Sequence, residues 1–373
     1  MAEVRETTGQ LKSTEAIERL EQYTVVDCDV HEIVTDPSVF TDYLDEPWRS
    51  RVNHITSTDD PLTQSVIGTQ PHDVDPTPHG LDDGVTPTTP EGMKNFMDRF
   101  NADYLIFHGH EVEGIADVPD REFAAELCAA YNDYMLDQYL DEYEGFKSSI
   151  RVAPQAPERA AEEIYRLADE KDMVAVHIPA APNGLLGNPE FDPIYQAAED
   201  VGLSVDYHPS QSNIPWSGLW GGPWLQSTAE FMGVYGHHMM AHIPNLIFEG
   251  VPERFPNVKH VFIEQGVTWI PWLMGRMDKY YERRGHVLPE LEMKPSEYLK
   301  EYFYFGTQPI EDVADPGQIS ALFEMMDAKE LLVYTTDFPH FDFDYPSALT
   351  IPGMDEETER RIFGENALDV YRI

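Results

Sequence analysis

Only two cysteines, Cys28 and Cys128, occur in 373 residues. They support neither a disulfide framework nor a thiolate metal cluster. Long apolar runs are missing as well, and no stretch approaches a membrane span. The N-terminus, MAEVRETTGQLKSTEAIERLEQ, is too charged for a signal peptide. Positive charge is scarce: 25 Lys and Arg stand against 68 Asp and Glu, a formal net charge of −43. Such a balance repels nucleic acid and anionic lipid, which excludes both as expected partners. The expectation is a cytoplasmic protein that acts on a small molecule, with a homodimer as the oligomer to test for.

What is present argues for a folded chain. The hydrophobic share of 42%, with 12% aromatics, suffices for a sizeable core. A disordered acidic chain would lack this many aromatic residues. The carboxylates are spread along the whole chain and not gathered in a tail. That pattern suits a surface adapted to concentrated salt, where self-repulsion is screened.

Short β-rich runs alternate with helical patterns. The runs are YTVVDCDV (23–30), ADYLIFHG (102–109), GFKSSIRV (145–152), DMVAVHIP (172–179), GLSVDYHP (202–209), VKHVFIEQ (258–265), EYFYFGT (301–307) and ELLVYTTD (330–337). Helical candidates between them include DREFAAELCAAYNDYMLDQYLDEY, and PERAAEEIYRLADE with Pro157 in its first turn. Strands alternating with helices imply parallel pairing through crossover helices. Eight such strands predict an α/β fold, a closed (β/α)8 barrel forming a single domain over residues 1–373. Its active site would lie at the C-terminal ends of the strands. The rival open sheet would carry a glycine-rich phosphate loop after the first strand, and none is there. Two segments break the alternation: the Pro/Thr/Asp/Gly-rich stretch 56–92, and SQSNIPWSGLWGGPWLQS (210–227) after the fifth strand. Both read as loop insertions at the barrel mouth, and Trp216 in the second becomes a candidate substrate contact.

In YTVVDCDVHE (23–32), Asp27, Asp29 and His31 fall at every second position of an apolar run. On a strand these positions share one face. A buried face tolerates such charges only if they are paired or hold a metal; the alternative is an edge strand whose polar face meets water. The strand count gathers further residues at the same mouth: His177 from strand four, His208 from five, Glu264 from six and Asp337 from eight. Imidazoles and carboxylates from separate strand ends suit a borderline divalent cation, zinc first and manganese second. Taken singly, a histidine ending a strand is more often a hydrogen-bonded structural residue, and Glu264 could be a buried carboxylate paired with an arginine. Asp27, deeper on the same face, reads as hydrogen-bonding support. Cys28 alternates away from that face and is expected against the helices. His237 and His238, in an apolar helical stretch, read as packing or solvent-facing.

VVDCDVHE, VDYHPS, FPNVKHVFIEQGVTWIPWLMGRMDKYY, YTTDFPHFDFDYPS and the closing FGENALDVYRI together resemble the amidohydrolase-related branch of the amidohydrolase superfamily. That branch includes aminocarboxymuconate-semialdehyde decarboxylase and related metal-dependent decarboxylases of aromatic acids. The likeness runs from about Tyr23 to the C-terminus, interrupted by the Pro/Thr-rich loop. It implies a metal-bearing (β/α)8 barrel whose ligands, by position, are Asp29, His31, His208 and Asp337. Asp29 stands where the decarboxylases usually carry a histidine, although other members have a carboxylate there. Glu264 stands where the family has a strand-six histidine that assists the metal-bound water. Its ordinary pKa makes it a different acid from imidazole.

The resemblance puts a carboxy-lyase first. The metal would orient the substrate carboxylate or a neighbouring hydroxyl, and Asp337, or a water it activates, would protonate the carbon that loses carbon dioxide. Asp337, Glu264 and His208 are the catalytic candidates. His177, Arg151, Trp216 and His340 are the candidate substrate contacts, with His177 or Arg151 holding an anionic group. A hydrolase of a carbon–nitrogen or carbon–oxygen bond, or a hydratase of an unsaturated acid, uses the same parts with Asp337 as base. The third reading is a metal-binding barrel without turnover, and the intact Asp337 with a full ligand set argues against it. The tryptophan-rich loop favours an aromatic or cyclic substrate.

Overall fold

A computed structural model describes residues 13–56, 81, 84–109, 114–116, 118–179, 184–209, 230, 232, 233, 236–287, 291–311, 317–349, 351 and 353–373. Eight strands form one sheet in sequence order. They are β1 (Val26–Val30), β2 (Tyr104–Phe107), β3 (Phe146–Arg151), β4 (Met173–Pro179), β5 (Ser204–His208), β6 (His260–Phe262), β7 (Phe303–Gly306) and β8 (Leu332–Val333). Every adjacent pair is parallel. Past β8 the chain runs beside β1 and closes the ring. Cys28 N–H donates to the Tyr334 carbonyl at 2.9 Å, Asp337 N–H to the Asp29 carbonyl at 2.9 Å, and His31 N–H to the Phe338 carbonyl at 2.7 Å. All eight apolar runs of the sequence thus become strands of a (β/α)8 barrel.

Helices cross between the strands, as parallel pairing demands. Their starts follow local chemistry. Asp120 accepts from Phe123 N–H ahead of the helix Arg121–Met135, and Pro157 opens the helix Pro157–Arg166. Thr89 accepts from Gly92 N–H and Pro90 begins the helix Pro90–Arg99, so the loop expected over 56–92 ends earlier than its composition implied. Residues 57–80 and 210–227, Trp216 included, lie outside the described residues. The side chains of His237 and His238, which start the helix His237–Phe248, do so as well. Among the described residues no helix is long and apolar enough to cross a membrane.

The core has two parts. Phe107, Phe146, Ile150, Val176, Ile178, Val205, Tyr207 and Phe262 pack outward with helix residues. A smaller cluster fills the barrel lumen: Val26, Cys28, Ile106, Val174, Val261, Ile263 and Val333, sealed by Ala367, Val370 and Tyr371. Cys28 therefore faces the lumen, not the helices. The β1–β2 register shifts between Asp27 and Val30, and such a bulge re-aims side chains that strict alternation would send elsewhere. Asp27 keeps its supporting role, although it does not join Asp29 and His31 at the mouth. Its carboxylate takes Thr336 N–H at 3.0 Å and Thr336 Oγ1–H at 2.6 Å. Burial drives its pKa up to about 8.

Candidate metal centre and active site

Four side chains converge above this apolar plug. Asp29, His31, His208 and Asp337 each offer a ligand atom within 4.8 Å of the others, and all four are buried. A second group, Glu264, Asp337 and His340, meets the same limit beside them. The structure thus brings together the residues that the strand ends had indicated, with His340 added from the turn after Asp337.

The hydrogen bonds decide what the imidazoles present. His31 Nδ1 is bound to the His108 carbonyl and His208 Nδ1 to the Pro209 carbonyl, the latter at 2.7 Å. A carbonyl only accepts, so each Nδ1 carries a hydrogen and each ring turns its Nε2 inward. His31 Nε2 faces Asp337 Oδ1 at 3.1 Å and Asp29 Oδ1 at 3.4 Å. His208 Nε2 faces Glu264 Oε2 at 3.3 Å and Asp29 Oδ1 at 3.7 Å. Among the described residues neither oxygen of Asp29 has a partner in hydrogen-bond geometry. Imidazole nitrogens turned toward carboxylates in a buried site suit a cation held between them. Two imidazoles and two carboxylates fit a divalent metal ion.

Around this set stand residues of different kinds. His340 Nδ1 lies 2.5 Å from Asp337 Oδ1, and Gln308 Nε2–H donates to Asp337 Oδ2 at 3.1 Å. Burial pushes the Asp337 carboxyl well above the usual carboxylate range, against the pull of His340. Glu264 meets His208, its Oε2 3.3 Å from the ring Nε2. Glu264 and Asp337 both hold left-handed backbone, with φ of 56° and 62°.

His177 sits within β4 beside Arg151 of β3, and both are buried. Neither ring nitrogen of His177 has a hydrogen-bond partner. Burial, with Arg151 and the other imidazoles adding to it, pulls its pKa well down, so its ring is neutral. Arg151 donates to the Gly109 carbonyl at 2.7 Å.

One residue of the site was not singled out in the sequence. His108 follows β2, with Nδ1 3.3 Å from Asp29 Oδ1 and Nε2 3.2 Å from Asp206 Oδ2. Burial opposes charge on this ring, but the carboxylates of Asp206 and Asp29 beside it prevail and raise its pKa to about 9. Ser149 Oγ–H donates to the same Asp206 oxygen at 2.7 Å. The signal was present: His108 ends its strand as the other histidines do, and Asp206 precedes His208 by two on the same strand.

A parallel barrel with a buried carboxylate–imidazole cluster at its C-terminal mouth defines the class of protein. A family model described as amidohydrolase matches residues 26–373, and the chain belongs to that family. It is similar to the gamma-resorcylate decarboxylase of Rhizobium sp. (strain MTP-10005), 21% identical over 242 residues, covering 62% of this chain and 71% of that protein. Among solved structures it resembles an amidohydrolase from Mycobacterium avium subsp. paratuberculosis K-10. There the TM-score is 0.70 at 21% identity, over 93% of this chain and 99% of that one. A 5-carboxyvanillate decarboxylase from Novosphingobium aromaticivorans DSM 12444, solved with manganese and 4-hydroxy-3-methoxy-5-nitrobenzoic acid, gives 0.67 at 19% identity. That match covers 95% of this chain and 97% of the other.

Proposed function

We propose that this chain is a divalent-metal-dependent carboxy-lyase that removes carbon dioxide from an aromatic carboxylic acid. The observation that carries the reading is the pair of inward Nε2 atoms, on His31 and His208, set against Asp29 and Asp337. These four would hold the ion. When bound, it supplies Lewis-acid polarisation of a substrate oxygen. Zinc was the first expectation. The two carboxylates and the manganese bound by the 5-carboxyvanillate decarboxylase support manganese equally well.

The remaining steps belong to the protein's own groups. His177 and Arg151 hold an anionic group of the substrate, and His340 lines the opposite side at Asp337. The carbon–carbon bond to the carboxylate breaks, its electron pair stays on the ring carbon, and Asp337 delivers the proton that carbon takes up. The product carries that proton away, and Glu264, beside His208, relays a replacement from solvent water to Asp337. The relatives support the substrate class by their names: decarboxylases of gamma-resorcylate, 5-carboxyvanillate and 2,6-dihydroxybenzoate. The protein acts as one domain in the cytoplasm, and its −43 charge keeps nucleic acid and anionic membranes away.

Glu264 also supports a second reading, hydrolysis of an amide, ester or lactone, because a carboxylate at that place suits base activation of water. One experiment separates the two. Manganese- or zinc-loaded protein is incubated with hydroxybenzoates, unsaturated acids, amides, esters and lactones while carbon dioxide release is followed. Release from an aromatic acid supports the lyase. Hydrolysis without carbon dioxide would replace it with the second reading.

A further inference from the structure

Asp29 is an unusual ligand candidate, because a carboxylate can turn about its own axis while an imidazole ligand is held flat by its ring. Something must fix its plane. Three imidazole nitrogens approach Oδ1 of Asp29: His108 Nδ1 at 3.3 Å, His31 Nε2 at 3.4 Å and His208 Nε2 at 3.7 Å. His31 and His208 have already given their Nδ1 hydrogens to carbonyls. Of these three rings, only His108 turns its Nδ1 toward Asp29.

We propose that His108, anchored on Asp206, is the positioning residue that orients the Asp29 carboxylate for metal binding; the inference rests on the metal-site reading above. His108 itself is fixed at three points. Its amide donates to the Val30 carbonyl at 2.9 Å, and its own carbonyl takes the Nδ1 hydrogen of His31. Its Nε2 lies 3.2 Å from Asp206 Oδ2, which also accepts from Ser149. The residue that follows β2 therefore touches two neighbouring ligand candidates, Asp29 of β1 through its ring and His31 just past β1 through its backbone. Asp206 is linked to Asp29 through His108, as an outer partner of a metal-ligating group is.

Two isosteres test the ring separately at each nitrogen. The amide nitrogen of His108→Asn takes the place of Nδ1 and keeps a donor toward Asp29. In His108→Gln the amide takes the place of Nε2, which keeps the Asp206 contact and removes the donor to Asp29. Manganese affinity of the full-length protein is measured by competition with a chelating dye at constant salt. The cobalt-loaded absorption spectrum reports ligand geometry. His108→Gln should bind manganese roughly 10–100-fold more weakly and shift the cobalt spectrum, while His108→Asn recovers most of the affinity. Asp206→Asn, tested alongside, should weaken binding in the same direction and serves if His108→Gln does not fold. A merely structural role would lower the melting temperature of each variant and leave affinity and spectrum unmoved, which overturns the inference. A wild type that binds no manganese or cobalt would overturn the metal reading as well. Tight wild-type binding with an unchanged His108→Gln or Asp206→Asn overturns this step alone.

Discussion

The backbone amide of Asp337 donates to the carbonyl of Asp29 at 2.9 Å, so two ligand candidates hang on the seam where the barrel closes. Metal binding at these residues should therefore couple to barrel closure. Stripping the ion with a chelator should lower the thermal midpoint by several degrees, since a ligand at about 100 times its Kd adds roughly 2.7 kcal/mol to the native state. His208→Ala leaves the seam untouched yet should lose the ion and melt like the stripped protein. Identical melting before and after chelation would uncouple the two.

Asp337 and Glu264 should separate in their effects. Asp337→Asn removes both a ligand candidate and the proton source, and it should abolish turnover together with metal retention. Glu264→Gln should keep the metal and lower kcat by roughly 10²–10⁴-fold, the usual size of a general acid–base contribution. It should also remove one limb of the pH–rate profile. An unchanged profile with near-normal kcat would leave Glu264 only a structural part.

Acid stability offers a test remote from the metal. His260 is buried on β6, its Nδ1 2.8 Å from the Tyr207 hydroxyl. Burial, helped by the nearby Lys259, lowers its pKa from 6.5 to about 3. Between these values the unfolded chain binds a proton that the folded chain refuses. Stability from the neutral ring is thus fully present above about pH 6.5 and is lost as pH falls toward 3. Tyr207 gives its hydroxyl hydrogen to Tyr195, so His260→Asn keeps an N–H donor toward the Tyr207 oxygen without titrating. Its melting temperature should fall less steeply than that of the wild type from neutral pH down to about pH 4. Parallel slopes would show that His260 does not govern this limb.

Salt is the fourth test. With a net charge of −43, dilute buffer should loosen the fold by self-repulsion, and concentrated potassium chloride should restore cooperative unfolding. Circular dichroism across a salt series reads this directly. Full cooperativity in dilute buffer would remove the case for adaptation to salt.

Much of this was legible in the chain because barrels repeat one rule. Each apolar run became a strand, and polar residues at the run ends met at one mouth, which is how His31, His208 and Asp337 could be picked from the sequence. The rule failed where local geometry breaks the period of two. A register shift after Asp27 carries no mark in VVDCDV, so Cys28 and Asp27 were assigned to each other's sides. The helix from Pro90 hid within a polar stretch, although Thr89 and Pro90 already spelled its start. His108 was passed over for a different reason: its partners Asp29 and Asp206 come from two other strands, and only the closed ring brings them within 3.3 Å of it.

The left-handed backbone at Glu264 and Asp337 has a consequence of its own. Among non-glycine described residues only Asn101, Glu264, Asp327 and Asp337 have positive φ. Asparagine and aspartate tolerate that region, whereas glutamate does so at a cost of about 1–2 kcal/mol. Selection for a sturdier barrel alone would favour glycine at position 264. A library screened only for heat resistance should accumulate Glu264→Gly, and its survivors should be robust, well folded and inert.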